Sequence, residues 1–238
     1  MRISIMQPYF FPYLGYFQLI AASDIFVSLD DVNFIKKGWI NRNRLVFNNK
    51  AVLFSVPLEN VSQNRLIRDT RVALTAFALW KDNFIKSVTA FYKKFPFFNE
   101  GMSILEAVFA QPVATISDMA LASLRTCCNA LHITTPIMIS STTPQAANCK
   151  KEKKLIAICK SLQADTYLNP IGGVELYSQD MFSQDSIRLQ FLKPTLPPYT
   201  FGKREFIPAL SILDVIFACG CERSSREFLN IATIVEAS

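Results

Sequence analysis

The sequence predicts an α/β fold with a Rossmann-like, mainly parallel sheet and a helical insertion. Three observations carry that expectation. Short β-rich runs alternate with helical stretches, most of the runs are continuously apolar as in strands buried on both faces, and polar segments follow the ends of several of them. Half of the 238 residues are apolar, enough for a large core, and residues 1–238 read as one α/β domain.

Taken in order, the strand candidates are Arg2 to Met6, Asp24 to Leu29, Ala51 to Pro57, Pro136 to Ser140, Asp165 to Leu168 and Ile187 to Leu192. A rigid turn, Tyr9 to Tyr16, follows the first, and a helix begins near Phe17. Between the third and fourth strands, Trp80, Phe84, Val88, Phe91 and Phe95 recur at steps of four, four, three and four, which predicts one apolar helix face stopped by Pro96. A second helical stretch spans Val113 to Leu131, so about 73–131 reads as a helical insertion covering one end of the sheet. Near the carboxyl end Ser211-Ile212-Leu213-Asp214 has capping-box spacing and Gly220 follows, predicting a short buried helix.

Composition narrows the function. The net charge of +6 suits a phosphate-bearing ligand, but the basic residues are dispersed except at Lys150, Lys151, Lys153 and Lys154, so DNA is not an expected partner. Six cysteines in no regular framework and a single histidine, His132, argue against a zinc site and against histidine-dependent triads. His132, at a helix end, is read as structural; the cysteines are read as packing residues, with Cys149 beside the lysines the most reactive setting. No apolar run is long enough for a membrane span and the amino terminus is unlike a signal peptide, so a cytoplasmic protein is expected.

Candidate site residues gather after three strands. In the first segment Gly15 would let the backbone approach a ligand and Pro8 and Pro12 would stiffen the turn; a hydrophobic staple between strand and helix is the alternative. The second strand delivers Asp30-Asp31, which could hold a cation, orient an amine or act as a general base, or else form an Asx turn. The sequel, Lys36 to Arg44, mixes cations, amides and an indole, and reads as a surface for a charged, ring-containing ligand: Lys36, Trp39, Asn41, Arg42 and Asn43. The third segment, Asn169 to Tyr177, carries Gly172-Gly173 for close backbone approach, or a plain turn.

Gln7-Pro8-Tyr9-Phe10-Phe11-Pro12-Tyr13-Leu14-Gly15-Tyr16-Phe17, Asp30-Asp31-Val32, Lys36, Trp39, Asn41-Arg42-Asn43, Tyr92-Lys93-Lys94 with Pro96, Tyr167-Leu168-Asn169 with Gly172-Gly173 and Leu176-Tyr177, and Leu210 to Asp214 before Gly220 resemble the bacterial WbqC-like family. The resemblance runs from Met6 to Gly220. It implies a role in surface polysaccharide (O-antigen) biosynthesis: transfer of an acyl or aminoacyl group, such as glycyl, to the amine of a dTDP- or UDP-linked deoxyamino sugar. An acyl or aminoacyl carrier would be a further partner, and no bound cofactor is implied. Many relatives have histidine where this chain has Phe84.

Pro12-Tyr13-Leu14-Gly15-Tyr16 is also spaced like the histidine signature of nucleotidylyltransferases, with Tyr13 and Tyr16 at the histidine positions, and Ile139 to Thr142 echoes a loop of those enzymes. A related topology follows as an expectation, with ATP-dependent carboxylate activation as the alternative activity. A noncatalytic sugar-nucleotide-binding protein is the other. On the leading reading Asp30, Asp31, Tyr13 and Tyr16 are catalytic, while Gln7, Tyr9, Gly15, Lys36, Trp39, Asn41, Arg42, Asn43, Asn169, Gly172, Gly173 and Tyr177 bind substrate.

Overall fold

The computed structural model describes residues 1–143, 149, 152–202 and 204–237, so Lys150 and Lys151 lie outside it. Six strands form one sheet: β1 (Arg2–Met6), β2 (Ile25–Ser28), β5 (Ile137–Ile139), β6 (Thr166–Pro170), β7 (Arg188–Lys193) and β8 (Thr233–Glu236). Their order is β5-β2-β1-β6-β7-β8, parallel except for β8, which runs antiparallel to β7. From β1 the chain moves outward through β2 and β5, then crosses back to β6 and moves the other way. Order reversal at the β1/β6 boundary is the switch point where open α/β sheets bind ligands.

Apolar runs become two-sided strands, as the sequence predicts. Ile3, Ile5, Val27, Tyr167, Leu189 and Phe191 pack with Leu155, Ile158 and Phe182, from α5 (Glu152–Ser161) and α6 (Asp180–Ser183). Phe26, Leu168 and Leu192 join the larger core on the other face, with Phe17, Leu19 and Ile20 of α1 (Leu14–Ala21).

The helical segment comprises α2 (Leu74–Tyr92), α3 (Phe98–Phe109) and α4 (Ile116–Ala130). The helix α2 ends before Pro96, but its inward stripe is Phe77, Phe84, Val88 and Tyr92; Phe91 faces out against Phe47. A step of four from Val88, not three, continues the buried face. The sequence reading missed α3, whose Gly101 lets the Phe217 ring lie 2.3 Å from where a Cβ would stand. Thr115 and Asp118 form a reciprocal capping box at α4.

One strand is reassigned. Ala51 to Pro57 does not join the parallel sheet; β4 (Lys50–Ser55) pairs antiparallel with β3 (Arg42–Phe47) in a separate hairpin. Asn48 and Asn49 turn it with φ of 51° and 58°, values that suit the two-residue turn matching strand twist.

The capping-box reading of Ser211 and Asp214 is also corrected. Ser211 Oγ accepts from the Leu213 amide at the start of α7 (Ile212–Cys219), but Asp214 does not reach back. It is fully buried, and its oxygens accept from Tyr199 (2.8 Å), from both terminal nitrogens of Arg204 (2.8 and 2.6 Å) and from Tyr92. Tyr92 also accepts from the Val46 amide at 2.9 Å, so this network ties hairpin, α2 and α7 together. Burial first, and the Asp214 charge second, raise both tyrosines far above their ordinary range, so they remain donors.

The turn after β1 is clamped at Phe11, which holds φ at 43°, a left-handed strain for a bulky residue. Its amide donates to Ser123 Oγ of α4 at 3.0 Å, and its carbonyl accepts from Asn43 Nδ2 at 2.6 Å and Ser211 Oγ at 2.9 Å. Phe10 donates to the Ile40 carbonyl at 3.1 Å. The hairpin is thereby fastened to the turn.

Asp214→Asn should lower stability by about 3 kcal/mol, because one charge of a buried pair loses its partner, and thermal unfolding should show a fall of roughly 6–12 °C. An unchanged midpoint would mean the network carries no net stability. Asn43→Ala should cost about 1–3 kcal/mol in chemical denaturation by freeing one donor of the Phe11 clamp. A loss confined to ligand binding would contradict that structural role.

Candidate functional site

Strands β1 and β6 pair only at Arg2 with Thr166 and Ile3 with Tyr167, whereas β6 and β7 stay paired through Pro170. Beyond Ile3 the two central strands part. A cavity of about 360 Å³ opens in the gap, lined by Ile5, Met6, Gln7, Tyr9, Tyr167, Asn169, Gly173 and Tyr177 among others. Its volume lies at the small end of the range for ligand pockets, and its position is the carboxyl edge at the switch point.

The polar ends at this cavity are available. Among the described residues no hydrogen bond engages the side chain of Gln7, the hydroxyls of Tyr9 and Tyr177, or Asn169 Nδ2. Asn169 Oδ1 accepts from Tyr167 at 3.1 Å, which fixes which end of the amide is occupied. A Cβ on Gly173 would stand 1.9 Å from Asn169 Nδ2, so glycine is required for Asn169 to lie there; Gly172 faces open space. Burial raises the Tyr9 and Tyr177 hydroxyls above their ordinary range, helped by Tyr13 beside Tyr9 and by Glu152 near Tyr177, so both act as O–H donors.

A second, smaller cavity of about 140 Å³ shares Tyr9 as a wall and is lined further by Pro12, Tyr13, Trp39, Asn43, Arg44 and Ala209. Tyr13 has no side-chain hydrogen bond among the described residues, and burial raises it too. The structure thus brings the turn and the Trp39 segment together.

Other candidates are already engaged. The Tyr16 hydroxyl donates to the Gln7 carbonyl at 2.7 Å, and the ring is buried against Tyr9 and Phe26. Space above Gly15 is filled by the Tyr13 ring and Pro194, which pack directly against its Cα. Asn41 donates to the Val56 carbonyl, Asn43 to Phe11, and Arg42 to the carbonyls of Lys37 and Gly38. Lys36 is exposed. Phe84 stacks on Trp80 in an aromatic cluster with Phe54 and Phe109 and lines neither cavity.

Asp30 and Asp31 end the segment after β2, where the turn Ser140–Thr142 meets them. Asp30 is buried and accepts from Ser140 Oγ (3.1 Å), the Ser141 amide (3.0 Å) and Ser141 Oγ (2.8 Å). Asp31 accepts from Ser140 Oγ at 2.5 Å and Lys154 Nζ at 2.6 Å. Lys154, read from sequence as part of the one dense lysine knot, is therefore turned inward in a nearly buried ion pair. Leu29 and Leu155, chain neighbours of this cluster, line the larger cavity.

A larger open groove of about 680 Å³ lies between α5 and α6, where Ile156, Ala157 and Met181 mix with solvated charges and Lys160 and Asp185 are already paired. His132 takes φ of 55° past the end of α4, exposed near Glu222, and lines a cavity with Ile137 at the amino end of β5. It is away from the switch-point edge. The described residues hold no group of His, Cys, Asp and Glu able to bind a metal, and no helix among them is long and apolar enough to cross a membrane. All six cysteines are free.

An uncharacterized protein of Mycobacterium tuberculosis, Rv1507c, is 27% identical over 226 residues, covering 93% of this chain and 95% of its own. No solved structure matches the chain. The WbqC-like protein family matches residues 7–226, from the amide at the mouth of the cavity to the helical segment Ser224–Phe228 beyond α7, and the chain belongs to that family.

Proposed function

We propose that the chain binds an amino-sugar nucleotide at the switch point and transfers an acyl or aminoacyl group to its amine. One observation carries the reading. Four uncommitted polar groups, from Gln7, Tyr9, Asn169 and Tyr177, converge on a cavity at the edge where α/β sheets take nucleotides. Amides and hydroxyls read a sugar or base by hydrogen bonds, and the tyrosine rings supply flat apolar walls. The exposed Lys36 is a cation available for a diphosphate.

In such a transfer the amine attacks the acyl carbon, a C–N bond forms, the donor's leaving group departs with its bonding pair and the amine loses a proton. Tyr9 and Tyr13, kept protonated by burial, are donors for the carbonyl oxygen as it gains charge. Asp31 is the proton acceptor in this scheme, because it is the more accessible member of the doublet; Asp30 fixes the Ser140 turn. Tyr16 is a positioning residue, through its bond to Gln7.

A second reading, a noncatalytic binding protein, is favoured by the same carboxylates: each already accepts from more than one donor. ATP-dependent activation has less support, since the two tyrosines at the histidine positions diverge, Tyr13 to the small cavity and Tyr16 to the core.

Calorimetry with dTDP- and UDP-linked amino sugars should show binding, and mass spectrometry with acyl donors should show an N-acylated product without pyrophosphate release. Gln7→Ala should weaken binding about tenfold, the ~1.4 kcal/mol of one hydrogen bond, at unchanged melting temperature; Asn169→Ala should weaken it by as much and also lower the melting temperature, because the buried Tyr167 hydroxyl loses its acceptor. Asp31→Asn should keep binding and lower turnover by roughly 10²–10⁴-fold. Binding without product would establish the second reading, and no binding by any of these nucleotides would end both.

A further inference from the structure

The smaller cavity has a chemistry of its own. Arg44 of β3 lines it, half-buried, and its Nη2 donates to the Ala209 carbonyl at 3.2 Å and, at the limit of bonding, to that of Pro208 at 3.5 Å. Its Nε is buried without any partner, and no hydrogen bond engages its Nη1 among the described residues. Arg44 and its neighbour Arg42 both lie over the Trp39 ring, at 5.7 and 5.9 Å from its centre, and neither has a carboxylate partner among the described residues.

A half-buried guanidinium without a counter-ion is costly, because burial removes water while nothing replaces its charge. The cation–π contact with Trp39 offsets part of that cost but leaves Nε and Nη1 without an acceptor among the described residues. Such a fork pairs best with a planar, two-oxygen anion. The rest of the wall decides which anion: Tyr9, Pro12, Tyr13, Trp39 and Ala209 are apolar or aromatic, with the tyrosine hydroxyls as further free donors, and the Asn43 amide is spent on Phe11. A phosphate dianion would ask for several N–H donors where this pocket has one cation. A volume of about 140 Å³ equals that of on the order of five water molecules, room for a carboxyl group and a carbon or two.

We propose that this pocket binds a small carboxylate, with its carboxyl group on the Arg44 guanidinium and its short stub against Pro12, Tyr13 and the Trp39 ring. The inference goes beyond the proposed function and stands on the pocket alone, whatever occupies the larger cavity across Tyr9.

The chain's two tryptophans make a direct test available. Trp80 stacks on Phe84 away from the pocket, so a Trp80→Phe chain leaves Trp39 as the reporter. At constant ionic strength, acetate and propanoate should change its emission saturably. Acetamide, inorganic phosphate and hexanoate should each act at least tenfold more weakly, and Arg44→Met should weaken acetate at least tenfold with its circular dichroism intact. Equal response to acetamide, or a stronger one to phosphate, would overturn the inference, as would full acetate binding by Arg44→Met. Should Arg44→Met fail to fold, the ligand series on the parent chain decides alone. Calorimetry with the sugar nucleotides on the same chain separates the two ideas: acetate binding without nucleotide binding ends the proposed function only, and the converse ends this inference only.

Discussion

The site depends on two parallel strands ceasing to pair. After Ile3 and Tyr167, β1 and β6 lose their register while each keeps its other neighbour, so the sheet remains continuous and yet gapes at one edge. Nothing else in the parallel sheet could open there without breaking a ladder. At a switch point the crossover connections leave in opposite directions, so no helix must cover the gap, and the segments that follow the strands become its walls.

Keeping those walls in place is the task of polar contacts remote from any ligand. The strained turn at Phe11 is over-determined by α4, the hairpin and the cap of α7, and the hairpin and α7 are themselves braced by the network around Asp214. Local strain of this kind persists only where surrounding structure pays for it. One consequence is that Tyr9 stands as a fixed partition between two cavities of different character, an amide-rich one and an aromatic one with a cation.

Hydrogen-bond accounting separates residues that look alike in sequence. Asn43 and Asn169 are both asparagines beside aromatics, yet one spends its amide on a backbone carbonyl and the other leaves its Nδ2 at a cavity. Tyr9 and Tyr16 differ likewise: the first keeps its hydroxyl, the second gives it to Gln7. Arg42 is bound to its own loop, while Arg44, not singled out by sequence, keeps unpaired donors. The clue that was present for Arg44 was its alternation with Arg42 on a strand carrying Trp39 just before it, legible only once the segment is known to be extended.

By itself, the sequence determined what local chemistry can determine: apolar runs make two-sided strands, the helical stretches lie between them, and the segments after β1 and β6 are polar and glycine-bearing where they line the switch-point cavity, because these follow from near-neighbour patterns and family motifs. It misplaced Ala51 to Pro57 and missed α3, since an apolar run has no mark saying which sheet it joins and Phe98 to Phe109 lacks a strong start signal. The inward turn of Lys154 toward Asp31 and the burial of Asp214 among two tyrosines and an arginine were decided by tertiary structure alone. Charges pair with whatever the fold brings within hydrogen-bond reach, and partners 123 residues apart in the chain are set by packing and not by spacing.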